Sequence, residues 1–448
     1  MPGLEKNRIY RAHIDGYSSE GLGIARIDGQ VVFVHGAIRG EICDVLVMKV
    51  LKNAAFGKIA ALVEPSPARR TPDCPYYGRC GGCDFRHMSY EEELWAKRAR
   101  VQDALTRIGG AEVTVEEILG AEQPLHYRNK SIYPISPAGE VGFYRARSHQ
   151  VVNVEHCLIQ KPEADALAQA LRDYVARFQV PPYDEATGRG LLRHLYVRTS
   201  CAGESLVCLL VNGRSLPHEE ELVAMLRAAA PKTCGVVLGE NTRRGNAILG
   251  DRYRTLWGRD YLTDTLCGLE LRLSVPSFFQ INRAQTQRLY QVALDFAGLH
   301  GDETVLDLYC GIGTISLALA RQAGQVIGAE VVPQAIEDAK QNAARADIQN
   351  AEFFCGDAGA VAQKLANEGV RPRVICVDPP RKGLGPEVPA ILASMAPERI
   401  VYVSCDPATL ARDVKRLGEL GYQVQKAQAV DLFPRTCHVE TVVLMSRK

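Results

Sequence analysis

From about residue 303 the sequence alternates short apolar runs with helical ones, and that alternation restricts this part of the chain to one class of fold. Glu303 to Tyr309, Gln325 to Glu330, Ala351 to Phe354, Val374 to Asp378 and Ile400 to Cys405 read as strands. Thr314 to Ala320, an amphipathic run ending at Ala346 and a stretch from residue 408 read as helices. Parallel neighbours need crossover connections, so strand and helix in repetition give a doubly wound, largely parallel α/β sheet. Open sheets of this kind bind ligands beyond the carboxyl ends of their strands. Residues at those ends are therefore the first candidates for chemistry.

The rest of the chain follows other patterns. Residues 7 to 63 read as short alternating strands with turns at Asp15-Gly16, Asp28-Gly29 and Arg39-Gly40, which predicts a small β-barrel. Pro65, Pro67 and Pro72 then mark a linker. Residues 90 to 108 predict a helix that buries the face carrying Leu94, Trp95, Val101, Leu105 and Ile108. Between about 119 and 272, strand-like segments mix with a helical run over 163 to 178, an α+β region. A chain of 448 residues exceeds what one core organises, so three domains are expected.

No apolar run approaches the roughly 18 residues a membrane span needs, so no membrane partner is expected. The charged N-terminus, MPGLEKNRIYRAHIDG, lacks the pattern of a secretory signal, and a cytoplasmic location follows. There the 14 cysteines should stay reduced, which favours metal binding and catalysis over disulfides. The net charge of +1 gives the chain no global pull toward nucleic acid, so any basic surface is local. Such surfaces exist. Residues 45 to 90 carry Lys49, Lys52, Lys58, Arg69, Arg70, Arg79 and Arg86 against Glu64, Asp73 and Asp84. Further on, Arg128, Lys130, Arg145 and Arg147 interleave with Tyr127, Tyr133, Phe143 and Tyr144, a pairing suited to phosphate contact and base stacking.

In the α/β region the first strand runs into Cys310-Gly311-Ile312-Gly313-Thr314, where glycines let backbone approach a ligand at a helix start. A dinucleotide fingerprint would place glycine where Ser316 stands, which tilts the choice away from a nicotinamide cofactor. Glu330 ends the next strand, where a carboxylate can accept from ribose hydroxyls; the alternative is a solvated loop acid. Asp357 and Asp378 also lie at strand ends. Separately, Cys74, Cys80 and Cys83 form C-x5-C-x2-C with Cys157 available as a distant fourth ligand. Thiolate coordination suits an iron-sulfur cluster or structural zinc about equally.

Phe278-Phe279-Gln280-Ile281-Asn282, Asp378-Pro379-Pro380-Arg381, Ser404-Cys405-Asp406-Pro407 with the helix after it, and His438-Val439-Glu440-Thr441 stand in this order along the chain. In these four motifs the sequence resembles the bacterial uracil-5-methyltransferases of ribosomal and transfer RNA, and the resemblance spans essentially the whole length. It implies an S-adenosylmethionine site lined by Gln280, Tyr309, Thr314, Glu330, Asp357 and Asp378; at Thr314 and Asp357 other members carry asparagine. It implies Cys405 as a nucleophile toward carbon 6 of uracil and Glu440 as the base that takes the carbon 5 proton, with Asp378 a rival base. Phe278 resembles the residue that stacks on the extruded base, and Arg128 and Lys130 are candidate RNA contacts.

The same resemblance favours a four-iron four-sulfur cluster on Cys74, Cys80, Cys83 and Cys157. It likens the barrel to the OB-like TRAM module of RNA-modifying enzymes, and it places the helix after the cysteines on the catalytic domain. The expected domains are therefore 1–65, an RNA-binding barrel; 66–89 with 119–272, the α+β iron-sulfur domain; and 90–118 with 273–448, the Rossmann-like methyltransferase domain. Barrel and cysteines together point to 23S rRNA as substrate, with no obligate protein partner. A transfer-RNA enzyme, a non-catalytic RNA-binding iron-sulfur protein and a small-molecule or protein methyltransferase are the alternatives; retention of Cys405 and Glu440 argues against the last two.

The sequence context of Cys405 carries one more expectation. It ends a strand and precedes a helix opening at Pro407, where backbone N–H groups and the helix dipole would favour the thiolate.

Overall fold

The computed structural model describes residues 4 to 448. Strands β1 (Ile9–Tyr17), β2 (Gly23–Ile27), β3 (Gln30–His35), β4 (Ile42–Val50) and β5 (Ala54–Glu64) close into a five-stranded barrel in the order β1-β2-β3-β5-β4. Alternate residues such as Ile14, Val32, Val34, Val45 and Val47 fill its interior. Asp28 and Gly29, both at positive φ, turn β2 into β3. Asp15-Gly16, by contrast, is no turn: it lies inside β1, where the register with β2 shifts between Ile14 and Gly16, and the extra residue bends the strand round the barrel. The proline-marked linker is anchored, because Arg69 is held by the buried Glu41 carboxylate of the barrel.

Helix α1 (Tyr90–Arg107) follows the cysteine segment. The central region then contains β6 (Lys130–Pro134), β7 (Gly142–Tyr144), β8 (Val151–Asn153), α2 (Pro162–Phe178), β9 (Leu192–Thr199), β10 (Ser205–Val211), α3 (Glu219–Ala229), β11 (Thr233–Glu240) and β12 (Arg252–Gly258). Its sheet runs β12-β11-β10-β9-β6, with β7 and β8 pairing apart. Every residue of β9 and β10 is buried. Leu195, Val197, Val207 and Leu209 pack among α2 and α3, while Tyr196, Leu206, Cys208 and Leu210 join the core shared with the C-terminal region. Burial on both faces explains why these strands read as continuous apolar runs.

The hairpin of β13 (Tyr261–Leu266) and β14 (Leu269–Ser274) leads through a loop into α4 (Arg283–Ala297). Then come β15 (Thr304–Leu308), α5 (Thr314–Ala320), β16 (Gln325–Glu330), α6 (Pro333–Arg345), β17 (Ala351–Cys355), α7 (Ala358–Asn367), β18 (Val374–Val377), α8 (Val388–Ser394), β19 (Arg399–Ser404), α9 (Pro407–Glu419), β20 (Tyr422–Val430) and β21 (Glu440–Arg447). They form the expected doubly wound sheet in the order β17-β16-β15-β18-β19-β21-β20, parallel from β15 to β19, with β21 antiparallel to both its neighbours. The order reverses between β15 and β18, which puts the topological switch point at the carboxyl ends of those two strands.

Helix α1 packs on α9, and its Val101, Ala104 and Leu105 enter the core of this sheet. Its buried face differs from the expected one. Trp95 and Ile108 are exposed, and Leu94 is only half-buried. Glu93 and Lys97 are buried instead: the Lys97 ammonium donates to Glu93 at 2.7 Å, to Asp431 at 2.6 Å and to the Phe433 carbonyl at 3.1 Å, with all three charged side chains at most 1% exposed. Trp95 lies under the guanidinium of Arg39, 3.7 Å from its ring centroid, which joins α1 to the barrel. Among the described residues no helix is long and apolar enough to cross a membrane.

Candidate active site

Four segments meet at the carboxyl edge of the sheet. Leu308 ends β15, and the chain continues through Tyr309, Gly311 and Gly313, all at positive φ, into α5. This turn opens a crevice over the switch point. Glu330, at the end of β16, accepts from the Gly311 N–H at 3.2 Å and the Val332 N–H at 2.9 Å, which pins its carboxylate to the lip of the turn. The hydroxyls of Thr314 and Tyr290 lie 2.9 Å apart. Asp357 caps α7 through the N–H groups of Gly359 and Ala360, so one of its oxygens is committed to its own helix. Gln280 is buried, and its carbonyl accepts from Asn129. All six residues expected to line a cofactor site stand on elements around this crevice or on the loop beside it. The sequence reading overlooked Asp307 within β15: burial pushes its carboxyl up to about 7, Ser316 donates to one oxygen, and the other has no partner.

Beyond β18 the same edge carries the second cluster. Cys405 follows β19, Asp378 follows β18, and Glu440 opens β21, whose antiparallel course brings its first residue to this edge opposite the end of β19. Burial first, then the nearby Glu440 and Asp378 carboxyls, push the Cys405 thiol up to about 11, while Arg381 pulls it back. Glu440 is 2% exposed; burial and then Asp378 raise its carboxyl well above the usual range, again opposed by Arg381. Burial and Asp307 bring Asp378 up to about 7. Arg381, which the sequence reading quoted but did not place in the site, thus faces both reactive groups, and its guanidinium lies 3.4 Å from His438.

The expectation of a thiolate held by the α9 dipole is overturned. Asp406, not Cys405, is the N-cap of α9: its carboxylate accepts from the N–H groups of Ala408 and Thr409, each at 3.0 Å. The helix start is therefore satisfied by a carboxylate, and the thiol sits among acids.

Phe278, on the loop between β14 and α4, is 62% exposed, with the Lys130 ammonium 5.7 Å from its ring centroid. The loop is held from two sides. Ser277 donates to the buried Asp338 of α6 at 2.6 Å, and Arg198 of β9 donates to the Ser277 carbonyl at 2.6 Å.

Cys74, Cys80, Cys83 and Cys157 line one cavity of about 230 Å³, together with Arg86, Arg128 and Lys130. Burial pushes the Cys83 thiol up to about 12 and Cys157 up to about 11, and Arg86 pulls Cys83 back. Gly81 lies against the backbone of Ala146, where a Cβ would meet the Ala146 nitrogen at 2.8 Å, so the cysteine loop and the β7–β8 hairpin touch main chain to main chain. Among the described residues no group of three or more His, Cys, Asp or Glu side chains is arranged to hold a metal ion, and all 14 cysteines are free. Arg128 and Lys130, both half-buried, contribute to the wall of the cysteine cavity. The proposed aromatic partners divide similarly: Tyr127 and Tyr133 are core residues, bonded to Pro434 and Asp165, and cannot stack on bases.

A family model described as tRNA (Uracil-5-)-methyltransferase matches residues 252–448, and a TRAM domain model matches residues 3–60. An uncharacterized RNA methyltransferase of Clostridium tetani is 43% identical over 447 residues, covering 99% of this chain and 97% of the relative. Another, from Clostridium acetobutylicum, is 42% identical over 451 residues, covering 99% and 98%. Among solved structures, Pyrococcus abyssi tRNA (uracil-54, C5)-methyltransferase in complex with S-adenosyl-L-homocysteine has the same fold, with a TM-score of 0.77 and 24% identity over 97% of this chain and all of that one. Sheet, barrel and full-length similarity agree: the chain belongs to the S-adenosylmethionine-dependent RNA (uracil-5-)-methyltransferase family, with a TRAM domain at its N-terminus.

Proposed function

We propose that this protein methylates carbon 5 of a uridine in 23S rRNA, with Cys405 as nucleophile and Glu440 as base. The observation that carries this reading is the meeting of Cys405, Glu440, Asp378 and Arg381 at one sheet edge. Carbon 5 of uracil is a poor nucleophile until electrons are pushed into the ring. The Cys405 thiolate adds to carbon 6, and carbon 5 then takes the methyl group. S-adenosylmethionine supplies that methyl group as an electrophile and leaves as the thioether; Gln280, Tyr309, Thr314, Glu330, Asp357 and Asp378 are the residues proposed to hold it. The Glu440 carboxylate removes the carbon 5 proton, and the released electrons restore the ring double bond and expel the Cys405 thiolate. The resting cluster is rich in protons, so catalysis begins by moving the thiol proton away. Arg381 favours both ionisations, and Asp378, near 7, is the group best matched to accept a proton at neutral pH.

We also propose that Cys74, Cys80, Cys83 and Cys157 hold a four-iron four-sulfur cluster. Four thiolates suit structural zinc or an iron-sulfur cluster; what supports the cluster is that the four cysteines line one cavity with Arg86, Arg128 and Lys130, whose charge would balance an anionic group. Such a cluster, if bound, would supply electron transfer or structural cross-linking. In this reading residues 1–65 grip RNA, 66–89 with 119–272 hold the cluster, and 90–118 with 273–448 carry out methyl transfer.

Transfer RNA is the second reading, favoured by the description of the family model and by the archaeal tRNA enzyme, whose fold matches over the barrel as well. The deciding experiment offers purified enzyme labelled S-adenosylmethionine with protein-free 23S rRNA or with unmodified transfer RNA. Incorporation into 23S rRNA supports the proposal; incorporation confined to transfer RNA replaces it.

A further inference from the structure

Strand pairing does not fix the spacing between Cys405 and Glu440. The β19–β21 ladder ends with Ser404 opposite Thr441, and Glu440 itself pairs only with Val430 of β20. Between Val430 and Glu440 the chain follows no helix or strand, so its place depends on what its backbone groups bond to. Here they bond outward. The Asp431 carbonyl accepts from Gln285 at 3.0 Å, the Leu432 carbonyl from Asn282 at 3.1 Å, the Phe433 carbonyl from Lys97 at 3.1 Å and the Pro434 carbonyl from Tyr127 at 3.0 Å.

The last residues before Glu440 are held by charged side chains as well. The Arg435 carbonyl accepts from the N–H groups of Asp84 at 2.8 Å and Phe85 at 3.1 Å. Cys437 is gripped on both of its peptide groups: its N–H donates to the Asp84 carboxylate, and its carbonyl accepts from the Arg100 guanidinium, each at 2.9 Å. Hydrogen bonds with one charged partner are roughly twice as strong as neutral ones.

Asp84 belongs to the cysteine segment, where its own carbonyl accepts from Tyr77 at 2.7 Å. Arg100 belongs to α1, and its other terminal nitrogen lies 3.9 Å from the carboxylate of Asp406, the residue after Cys405. Arg100 therefore spans the two reacting segments at the point where the ladder has stopped. The two ends are not equal. Asp406 keeps its bonds to the Ala408 and Thr409 N–H groups without Arg100, whereas the Cys437 carbonyl has the guanidinium as its partner. Loss of Arg100 thus frees the Glu440 side first.

We propose that Arg100, with Asp84 opposing it across the peptide groups of Cys437, is a positioning residue that sets the distance of Glu440 from Cys405. The proposal rests on the reading of Cys405 as nucleophile and Glu440 as base. A displaced base slows removal of the carbon 5 proton, which follows methyl transfer, so RNA stays bonded to Cys405. Labelled methyl transfer to the RNA accepted in the substrate assay gives kcat and KM for wild type, Arg100→Met, Arg100→Lys, Asp84→Ala and Asp84→Asn. Denaturing gels give the fraction held as protein–RNA adduct, with Glu440→Gln as reference. Arg100→Met should lower kcat about tenfold or more, since a misplacement of about 1 Å can cost about a hundredfold, while KM for RNA changes less than about threefold. Adduct should accumulate as in Glu440→Gln, and Asp84→Ala should behave alike. Arg100→Lys keeps a donor and Asp84→Asn an acceptor oxygen, so each should recover most of the lost rate. Unchanged kcat, a fall in kcat without adduct, or an equal fall in the conservative variants overturns the proposal. Should Arg100→Met not fold, the two Asp84 variants decide by the same criteria. If Glu440→Gln itself accumulates no adduct, the parent reading falls, and this one with it.

Discussion

Replacing Lys97 by methionine should destabilise the protein severely, and the structure sets the scale. The Lys97 side chain is 1% exposed and holds the Glu93 and Asp431 carboxylates, both fully buried, as well as the Phe433 carbonyl. Methionine has nearly the right volume, so the loss is electrostatic: two buried carboxyls are left facing each other. Removing one partner of a buried ion pair costs about 3–5 kcal/mol. At roughly 2–4 °C per kcal/mol for a domain of this size, the melting temperature should fall by about 6–20 °C. The deficit depends on pH with a definite sign. Burial already raises the Glu93 carboxyl above its ordinary value even with Lys97 present. Without the ammonium, folding must hold both acids neutral or bury their charge, a penalty that grows as pH rises above the unfolded carboxyl range and shrinks toward pH 5. Thermal melts of wild type, Lys97→Met and the triple variant Glu93→Gln/Lys97→Met/Asp431→Asn, at pH 5.5 and 8, check this. A loss in Lys97→Met smaller than about 1 kcal/mol, or one that does not grow with pH, would refute the reasoning, as would a triple variant no more stable than the single one.

Cys405→Ala should abolish methyl transfer while S-adenosylmethionine still binds, as read by calorimetry; appreciable turnover would remove Cys405 from the mechanism. Glu440→Gln should accumulate a covalent protein–RNA adduct on denaturing gels, and normal release of methylated RNA would promote Asp378 to the base. Protein purified without oxygen should be brown with about four irons per chain, and serine at Cys74, Cys80, Cys83 or Cys157 should remove the colour or the fold; colourless, active protein with stoichiometric zinc would overturn the cluster. Because the Cys405 thiol sits near 11 and Asp378 near 7, and both must lose a proton, kcat/KM should rise with pH from 6 to 9. At pH 7 iodoacetamide should label the exposed Cys201 and Cys355 before Cys405, and the reverse order would show that the acids do not raise this thiol.

The parts of this molecule that were legible in the sequence are those set by neighbours along the chain. The βα alternation gave the doubly wound sheet because each strand and its crossover are local patterns, and Asp28-Gly29 marked a turn because positive φ is a local demand. What could not be read depends on partners far away. Glu93 and Lys97 look like an ordinary solvated helix pair until Asp431, 334 residues beyond Lys97, closes over them. Tyr127 and Tyr133 sit among basic residues, as in a nucleic-acid surface, yet strand pairing turns Tyr133 into the core and Tyr127 is buried with Ile159 and Ile281. At Cys405 the local rule was sound, but the adjacent Asp406 occupies the helix start, and burial together with the nearby Glu440 and Asp378 raises the thiol instead. Arg381 had no local signal beyond its motif, since its partners Cys405, His438 and Glu440 all lie downstream.

The docking of α1 on α9 has a consequence for how the protein is made. The helix leaves the ribosome about 300 residues before the helix it rests on, an interval of roughly 15–60 s at ordinary rates of synthesis. During that time Val101, Ala104, Leu105 and the charged pair Glu93 and Lys97 have no final home. The barrel can close early, but the catalytic unit is tied together only when the last strands arrive. A nascent chain arrested before residue 407 should therefore present this helix to chaperones and proteases, and its release from them should mark completion of the catalytic sheet.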